Sequence, residues 1–255
     1  MRLKVEFSYL GENYFGYQVQ DGVRTVQGDI EKVLSDFFDT DISFVASGRT
    51  DTGVSAIRQV GHFDIKDDVL LAKIKNDSAK EFESLVIRIN YLLDKDIRFL
   101  HVSKASEDYH ARFNAKKKTY FYNLYSSKTE IPYFSQFALW VKYNLDINKI
   151  RDAIKAFVGT HDFTAFCASG SEVQDKVRTI YEAELIENEM GYITLKFVGN
   201  GFLYNMIRIM VGTMIEVGRG KLTKDDITKI IENKDRTLAG KTVSAIGLVL
   251  GSVEN

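Results

Sequence analysis

"DISFVASGRTDTGVSAIRQVGHFDI", residues 41–65, reads as strand, loop, strand. Its ends, "DISFVA" and "IRQVGHFDI", are rich in β-branched and aromatic residues. The middle is not. Ser47, Gly48, Thr50, Thr52 and Gly53 favour turns, and no helical or strand period runs through them. Such a loop can hold one carboxylate, Asp51, in a fixed pose beside the guanidinium of Arg49.

Working outward, Leu3, Val5 and Phe7 alternate with Lys4, Glu6 and Ser8, the pattern of a half-buried strand. A glycine-bearing loop, "LGENYFGYQVQDGVR", follows. Val26, Ile30, Val33, Leu34, Phe37 and Phe38 then recur at helical spacing. Beyond residue 65, Ser78 and Glu81 form a capping box that opens a helix lined by Phe82, Leu85, Val86, Ile89, Leu92 and Leu93. "IRFLHVSKA", 97–105, is another strand. The order β-α-β, β-α-β is the split βαβ, ferredoxin-like arrangement, with the Asp51 loop between its halves.

The second half repeats the theme loosely. Strands are expected at 118–126 and 134–141. Asp146 caps a helix carrying Ile147, Ile150, Ile154 and Phe157, which Gly159 ends. "KVRTIYEAELIEN" and "GYITLKFVG" form a hairpin about Glu189, Met190 and Gly191. A strongly apolar helix covers roughly 202–217, Thr223 opens a shorter one, and "GLVLGSV" is a last strand. The expectation is an α+β protein of two units, 1–106 with the aspartate loop and 107–255.

With 255 residues, the chain is long enough for two modest cores. Lys plus Arg number 34 against 35 Asp plus Glu, so any nucleic-acid surface must come from local clustering of cations. The single cysteine, Cys167, forms no intrachain disulfide and excludes a structural zinc site built on several thiolates. No signal peptide precedes Met1-Arg2-Leu3 and no apolar run approaches a membrane span, so the expected compartment is the cytoplasm.

Three stretches carry chemistry. Taken alone, Asp51-Thr52-Gly53 is a turn, or the local signature of an aspartic protease. The latter needs a second carboxylate to share its proton, and the chain has no second such triplet. "YHARFNAKKKTYFYNLY", 109–125, sets Lys116, Lys117 and Lys118 before a strand with Tyr120, Tyr122 and Tyr125. It suits either an RNA surface, where cations meet phosphates and a ring stacks on a base, or a solvated turn entering a core strand. Arg208 interrupts the apolar run Met206–Val211, either at a helix edge or buried against a carboxylate. The four histidines show no metal-ligand spacing, and neither a Walker loop nor a dinucleotide fingerprint is present.

In order along nearly the whole chain, "YFGYQVQ", "RTVQG", "SGRTDTGVSA", "QVGHFD", "YHARFNAKKKTYFY", "GTHDFTAFC", "VQDKVRTIYEA", "GFLYNMIRIMVGTMIEVGRG" and "KDRTLAGKT" resemble the TruA-type tRNA pseudouridine synthases. The G-R-T-D-x-G-V core is the most specific part. Two positions depart from the family's usual pattern: Ser55 stands where His is common, and Tyr17 where many members have Trp.

The resemblance implies an isomerase that turns uridine into pseudouridine at positions 38, 39 and 40 of the tRNA anticodon stem-loop, without a cofactor or metal. It implies Asp51 as the catalytic carboxylate and Arg208 as a buried arginine paired with it. Tyr120 would be the ring that stacks on the target uracil, and Arg49 the cation that helps displace the base. It also implies two α+β domains with joined sheets, a positively charged cleft and a homodimer. Arg24, Lys116, Lys117 and Lys118 are expected to contribute RNA-binding charge. The rival reading is a tRNA-binding or chaperone protein that has lost catalysis.

Overall fold

The computed structural model describes residues 1–74, 78–171 and 173–255. They fall into two compact units, residues 1–116 with 250–255, and residues 117–249. The sequence places the divide at 106/107, ten residues earlier, and assigns the whole C-terminus to the second unit.

In the first unit, β1 (Arg2–Tyr9) buries every second side chain, as its alternation predicts. It pairs antiparallel with β3 (Ser55–Asp64) on one side and β4 (Ile97–Ala105) on the other. A two-residue strand, β2 (Val45–Ala46), pairs antiparallel with β3. The order β4-β1-β3-β2 is that of a split βαβ unit.

Helices α1 (Val26–Phe38) and α3 (Ala79–Leu92) supply the helical layer, and a short α2 (Asp67–Leu71) follows β3. Both long helices start on side-chain caps: Thr25 accepts from the Gly28 amide at 3.3 Å and Ser78 from that of Glu81 at 3.4 Å. The core is aromatic. Phe44 meets Phe7 edge-on at 5.3 Å and lies over Phe99 at 6.1 Å, so rings from β1, β4 and the segment before β2 lock together.

Two local expectations change here. Only the end of "DISFVA" is a strand. The amides of Ile42 and Phe44 are taken by side chains of α1, Ser35 Oγ at 2.9 Å and Glu31 Oε1 at 2.8 Å, instead of a sheet ladder. Leu92 is 55% exposed, because the backbone turns extended at Leu93, which is buried in its place.

In the second unit, β5 (Lys117–Ser126), β9 (Ile193–Gly199), β8 (Val177–Glu187) and β7 (Gly159–Asp162) form an antiparallel run in that order, with β6 (Leu139–Val141) parallel to β5. The helices are α4 (Ile147–Ala153), α5 (Met206–Gly218) and α6 (Lys224–Asn233). Strand β10 (Leu248–Glu254) ends the chain, its residues from 250 onward belonging to the first unit. The expected hairpin is present: the Asn188 amide reaches the Tyr192 carbonyl at 3.0 Å, with Gly191 at φ 93°. Thr223 and Asp226 cap α6 reciprocally.

Three expectations are corrected. Of the strand proposed at 134–141 only Leu139–Val141 forms. Phe134–Gln136 is a 3₁₀ turn, closed on the Ile131 carbonyl and packed through Phe134 against Tyr125 at 5.2 Å. The helix opened by Asp146 ends at Ala153 and tightens to a 3₁₀ turn over Ile154–Phe157, and Gly159 begins β7 instead of capping a helix. Residues 202–205 lie outside α5, which starts after Asn205 in the left-handed region at φ 58°. Among the described residues no helix is long and apolar enough to cross a membrane, and no group of three or more His, Cys, Asp or Glu could hold a metal ion.

Candidate functional site

Asp51 is half-buried in the loop between β2 and β3, two residues after the exposed Arg49. The backbone around it is pinned on both sides. Before it, the Ser47 amide donates to the Val60 carbonyl at 2.8 Å, and Gln59 Nε2 donates to the Gly48 carbonyl at 3.1 Å. The hydroxyls of Thr50 and Tyr9 lie 2.8 Å apart in the interior, and the Thr50 carbonyl accepts the Tyr17 amide at 3.1 Å. After it, the Val54 amide closes a turn on the Asp51 carbonyl at 3.1 Å, with Gly53 at φ 81°.

The 10–24 loop packs against this turn. A Cβ on Gly16 would stand 3.1 Å from the Thr50 carbonyl oxygen, and one on Gly11 only 2.2 Å from that of Val54. Glycine is what lets the two backbones meet. Ser55 takes part here, accepting the Gly11 amide at 3.0 Å. Burial raises the Tyr9 phenol well above its ordinary value, so it stays a neutral donor or acceptor.

Arg24 sits on the same loop but is held within its own unit. Its guanidinium meets Asp29 at 2.6 Å and Asp94 at 3.2 Å and lies 4.6 Å from the Tyr14 ring centroid. Lys116 is exposed, and its amide donates to the Glu254 carbonyl at 2.7 Å.

The other candidates belong to the second unit. Tyr120, on β5, is half-buried, and its ring meets that of Phe202 edge-on at 5.1 Å. Tyr122 shares its strand face but is fully buried, its hydroxyl donating to the Ser244 carbonyl at 2.6 Å. Of the two tyrosines on this face, Tyr120 is the one that keeps some exposure. Arg208, on α5, is half-buried: Nε donates to the Val243 carbonyl at 2.7 Å and Nη1 to Asn205 Oδ1 at 2.5 Å. The left-handed Asn205 just before the helix is what brings that amide oxygen within reach. Helix α5 packs against β5, so the elements bearing Arg208 and Tyr120 are neighbours. Lys117 is exposed, with Nζ 5.7 Å from the Tyr181 ring centroid, and Lys118 is half-buried.

Sequence reasoning missed Gln59 and Tyr9, and marks Tyr17 only as a departure from the family's usual pattern. Of the two missed residues only Gln59 left a trace, as an uncharged polar residue inside the strand "IRQVGHFDI". Chemically, a carboxylate on a backbone fixed this way can serve as a nucleophile, or as an anion facing a developing oxocarbenium sugar.

A family model described as tRNA pseudouridine synthase matches residues 153–254. A tRNA pseudouridine synthase A of an Exiguobacterium species is 43% identical over 253 residues, covering 99% of this chain and 97% of that protein. The tRNA pseudouridine synthase A of Bacillus subtilis is 42% identical over 255 residues, covering 99% and 98%. A tRNA pseudouridine synthase A 1 of Bacillus cereus is 44% identical over 253 residues, again covering 99% and 98%.

Proposed function

The chain belongs to the tRNA pseudouridine synthase family, and from that premise we propose that it isomerises uridine to pseudouridine at positions 38, 39 and 40 of the tRNA anticodon stem-loop. The observation that carries the reading is the Asp51 loop: one carboxylate on a turn whose flanking backbone is fixed by hydrogen bonds at Ser47, Gly48, Thr50 and Val54.

The reaction breaks the N1–C1′ bond of a uridine already in RNA, turns the uracil and rejoins it through C5. Every atom is kept and nothing is oxidised or reduced, so the chemistry calls for no cofactor. Asp51 meets the sugar or the base at the step where the glycosidic bond opens. The target must leave the helical stack, at a cost of a few kcal/mol. Tyr120 is assigned the ring that stacks on the extruded uracil, a contact worth ~1–3 kcal/mol. Arg49 is assigned the cation that holds the displaced state, and Arg208 the positive charge that keeps the carboxylate ionised. Lys116, Lys117 and Lys118 supply phosphate contacts, and Arg24 does so with whatever reach its two carboxylate partners leave it. The protein acts in the cytoplasm as a homodimer, which light scattering of the purified chain tests.

Incubating purified protein with an unmodified tRNA transcript, in chelator and without nucleotide, tests the function. Pseudouridine mapped to 38–40 is the expected result. Tight tRNA binding with no pseudouridine supports the inactive chaperone reading instead.

A further inference from the structure

The Asp51 loop is held by two buried polar side chains from the sheet beneath it. Gln59, on β3, is 0% exposed, and Tyr9, on β1, is 2% exposed. The same faces of these strands carry Phe7 on β1 and Phe63 on β3. A buried amide or phenol is costly unless each of its polar atoms is bonded.

In both residues bonds go to the loop, and Gln59 adds one to its own strand. Gln59 Oε1 accepts from the Ser47 hydroxyl at 2.5 Å and the Val60 amide at 3.1 Å, while Nε2 donates to the Gly48 carbonyl at 3.1 Å. The Tyr9 hydroxyl meets that of Thr50, the residue before Asp51, at 2.8 Å. Residues 47, 48 and 50 are therefore each held from below, and the turn after them is closed by the Val54 amide.

We infer that Gln59 and Tyr9 are positioning residues for the reaction of Asp51, acting through the backbone that carries the carboxylate and touching no reacting atom themselves. The inference rests on the reading of Asp51 as the reacting group. Its physical basis is the steep dependence of rate on placement: a shift of ~1 Å in a reacting group, caused from a distance, can cost ~100-fold in rate. A purely structural role for the same bonds lowers the melting temperature but leaves the rate of the folded molecule alone.

Two variants separate these cases. Gln59→Met keeps length and volume but removes all three bonds, and Tyr9→Phe removes one oxygen. Each is assayed for folding by circular dichroism, for tRNA dissociation constant, and for single-turnover pseudouridine formation with enzyme saturating, well below its melting temperature. The expected result is a dissociation constant within about twofold of wild type and a rate reduced ~10- to 100-fold. A folded variant whose rate stays within about twofold of wild type removes that residue from the role, as does a rate loss matched by an equal loss of binding. Should Gln59→Met fail to fold, Tyr9→Phe, the smaller change, carries the test. A wild-type chain that forms no pseudouridine overturns the parent reading and this one with it. A wild-type chain that forms it, matched by both variants, overturns this one alone.

Discussion

The backbone amide of Gly11 donates to the hydroxyl of Ser55 across 3.0 Å. That bond ties the 10–24 loop to the strand that leaves the Asp51 turn. It also gives Ser55, the departure from the family's usual pattern, a local structural role, since its short hydroxyl fits against a backbone with no side chain. Gly11→Ala is expected to push the two segments apart, since its Cβ would lie 2.2 Å from the Val54 oxygen and 2.5 Å from its carbonyl carbon. The cost is about 1–3 kcal/mol of stability, read as a lower denaturation midpoint, together with a reduced single-turnover rate. A variant as stable and as fast as wild type contradicts this packing.

Tyr9 and Tyr17 make a matched pair with opposite expectations. Their rings are 6.5 Å apart and both are nearly fully buried. The Tyr9 hydroxyl is bonded to Thr50, whereas among the described residues that of Tyr17 has no hydrogen-bond partner. Tyr9→Phe is expected to lower unfolding free energy by about 1–3 kcal/mol, because it leaves the Thr50 hydroxyl unpaired. Tyr17→Phe removes a hydroxyl that gains nothing from folding, and stability should hold or rise. Chemical denaturation of both variants checks the ordering, and the reverse order contradicts it.

His62 makes stability depend on pH in mildly acidic solution. Burial, reinforced by the nearby charges of Arg2 and His110 and opposed by Asp64, holds its imidazole down to about 4. The ring is 4% exposed, and its Nδ1 accepts the Ala111 amide at 3.2 Å, a bond only an unprotonated nitrogen can make. In the unfolded chain an imidazole binds its proton near pH ~6.5. As pH falls from that value toward 4, the unfolded chain takes up a proton that the folded chain refuses. Stability therefore drops through this window, by about 3 kcal/mol, and this contribution levels off below it. His62→Gln should abolish the effect, so the wild-type-minus-variant difference in stability should fall with pH between 6.5 and 4. A flat difference rules the mechanism out.

Much of the first unit is legible in the sequence because its strands are half-buried and its helices carry side-chain caps. Leu3, Val5 and Phe7 alternate, and Thr25 and Ser78 stand one residue before their helices. What misleads is competition for backbone groups. Ile42 and Phe44 have strand-forming side chains, yet Ser35 and Glu31 take their amides. "YFSQF" has the composition of a strand and folds as a tight aromatic turn, because Phe134 finds its partners in Tyr125 and Tyr192. In the candidate site the carboxylate loop is visible from its turn residues. The side chains beneath it are not, because Gln59 and Tyr9 owe their roles to register, with Gln59 opposite Phe7 across the β1–β3 pair.

The lysine run 116–118 is expected to set the salt dependence of tRNA binding. Lys116 and Lys117 are exposed and Lys118 half-buried. Each phosphate contact on duplex RNA contributes about 0.9 to the slope of log affinity against log salt, by analogy with DNA. Replacing all three by alanine should flatten that slope by about 1–3 and weaken binding across different tRNAs alike. A slope equal to wild type takes the lysines out of the interface.

The central claim is that the Asp51 carboxylate is the group that opens the glycosidic bond, and single-turnover conversion of an unmodified tRNA by wild type and by Asp51→Asn tests it most directly. The amide is nearly the same size and keeps the loop's backbone bonds, so the variant should fold and bind tRNA as wild type does. It should nevertheless form no detectable pseudouridine at positions 38–40. Formation at the wild-type rate by Asp51→Asn contradicts the account.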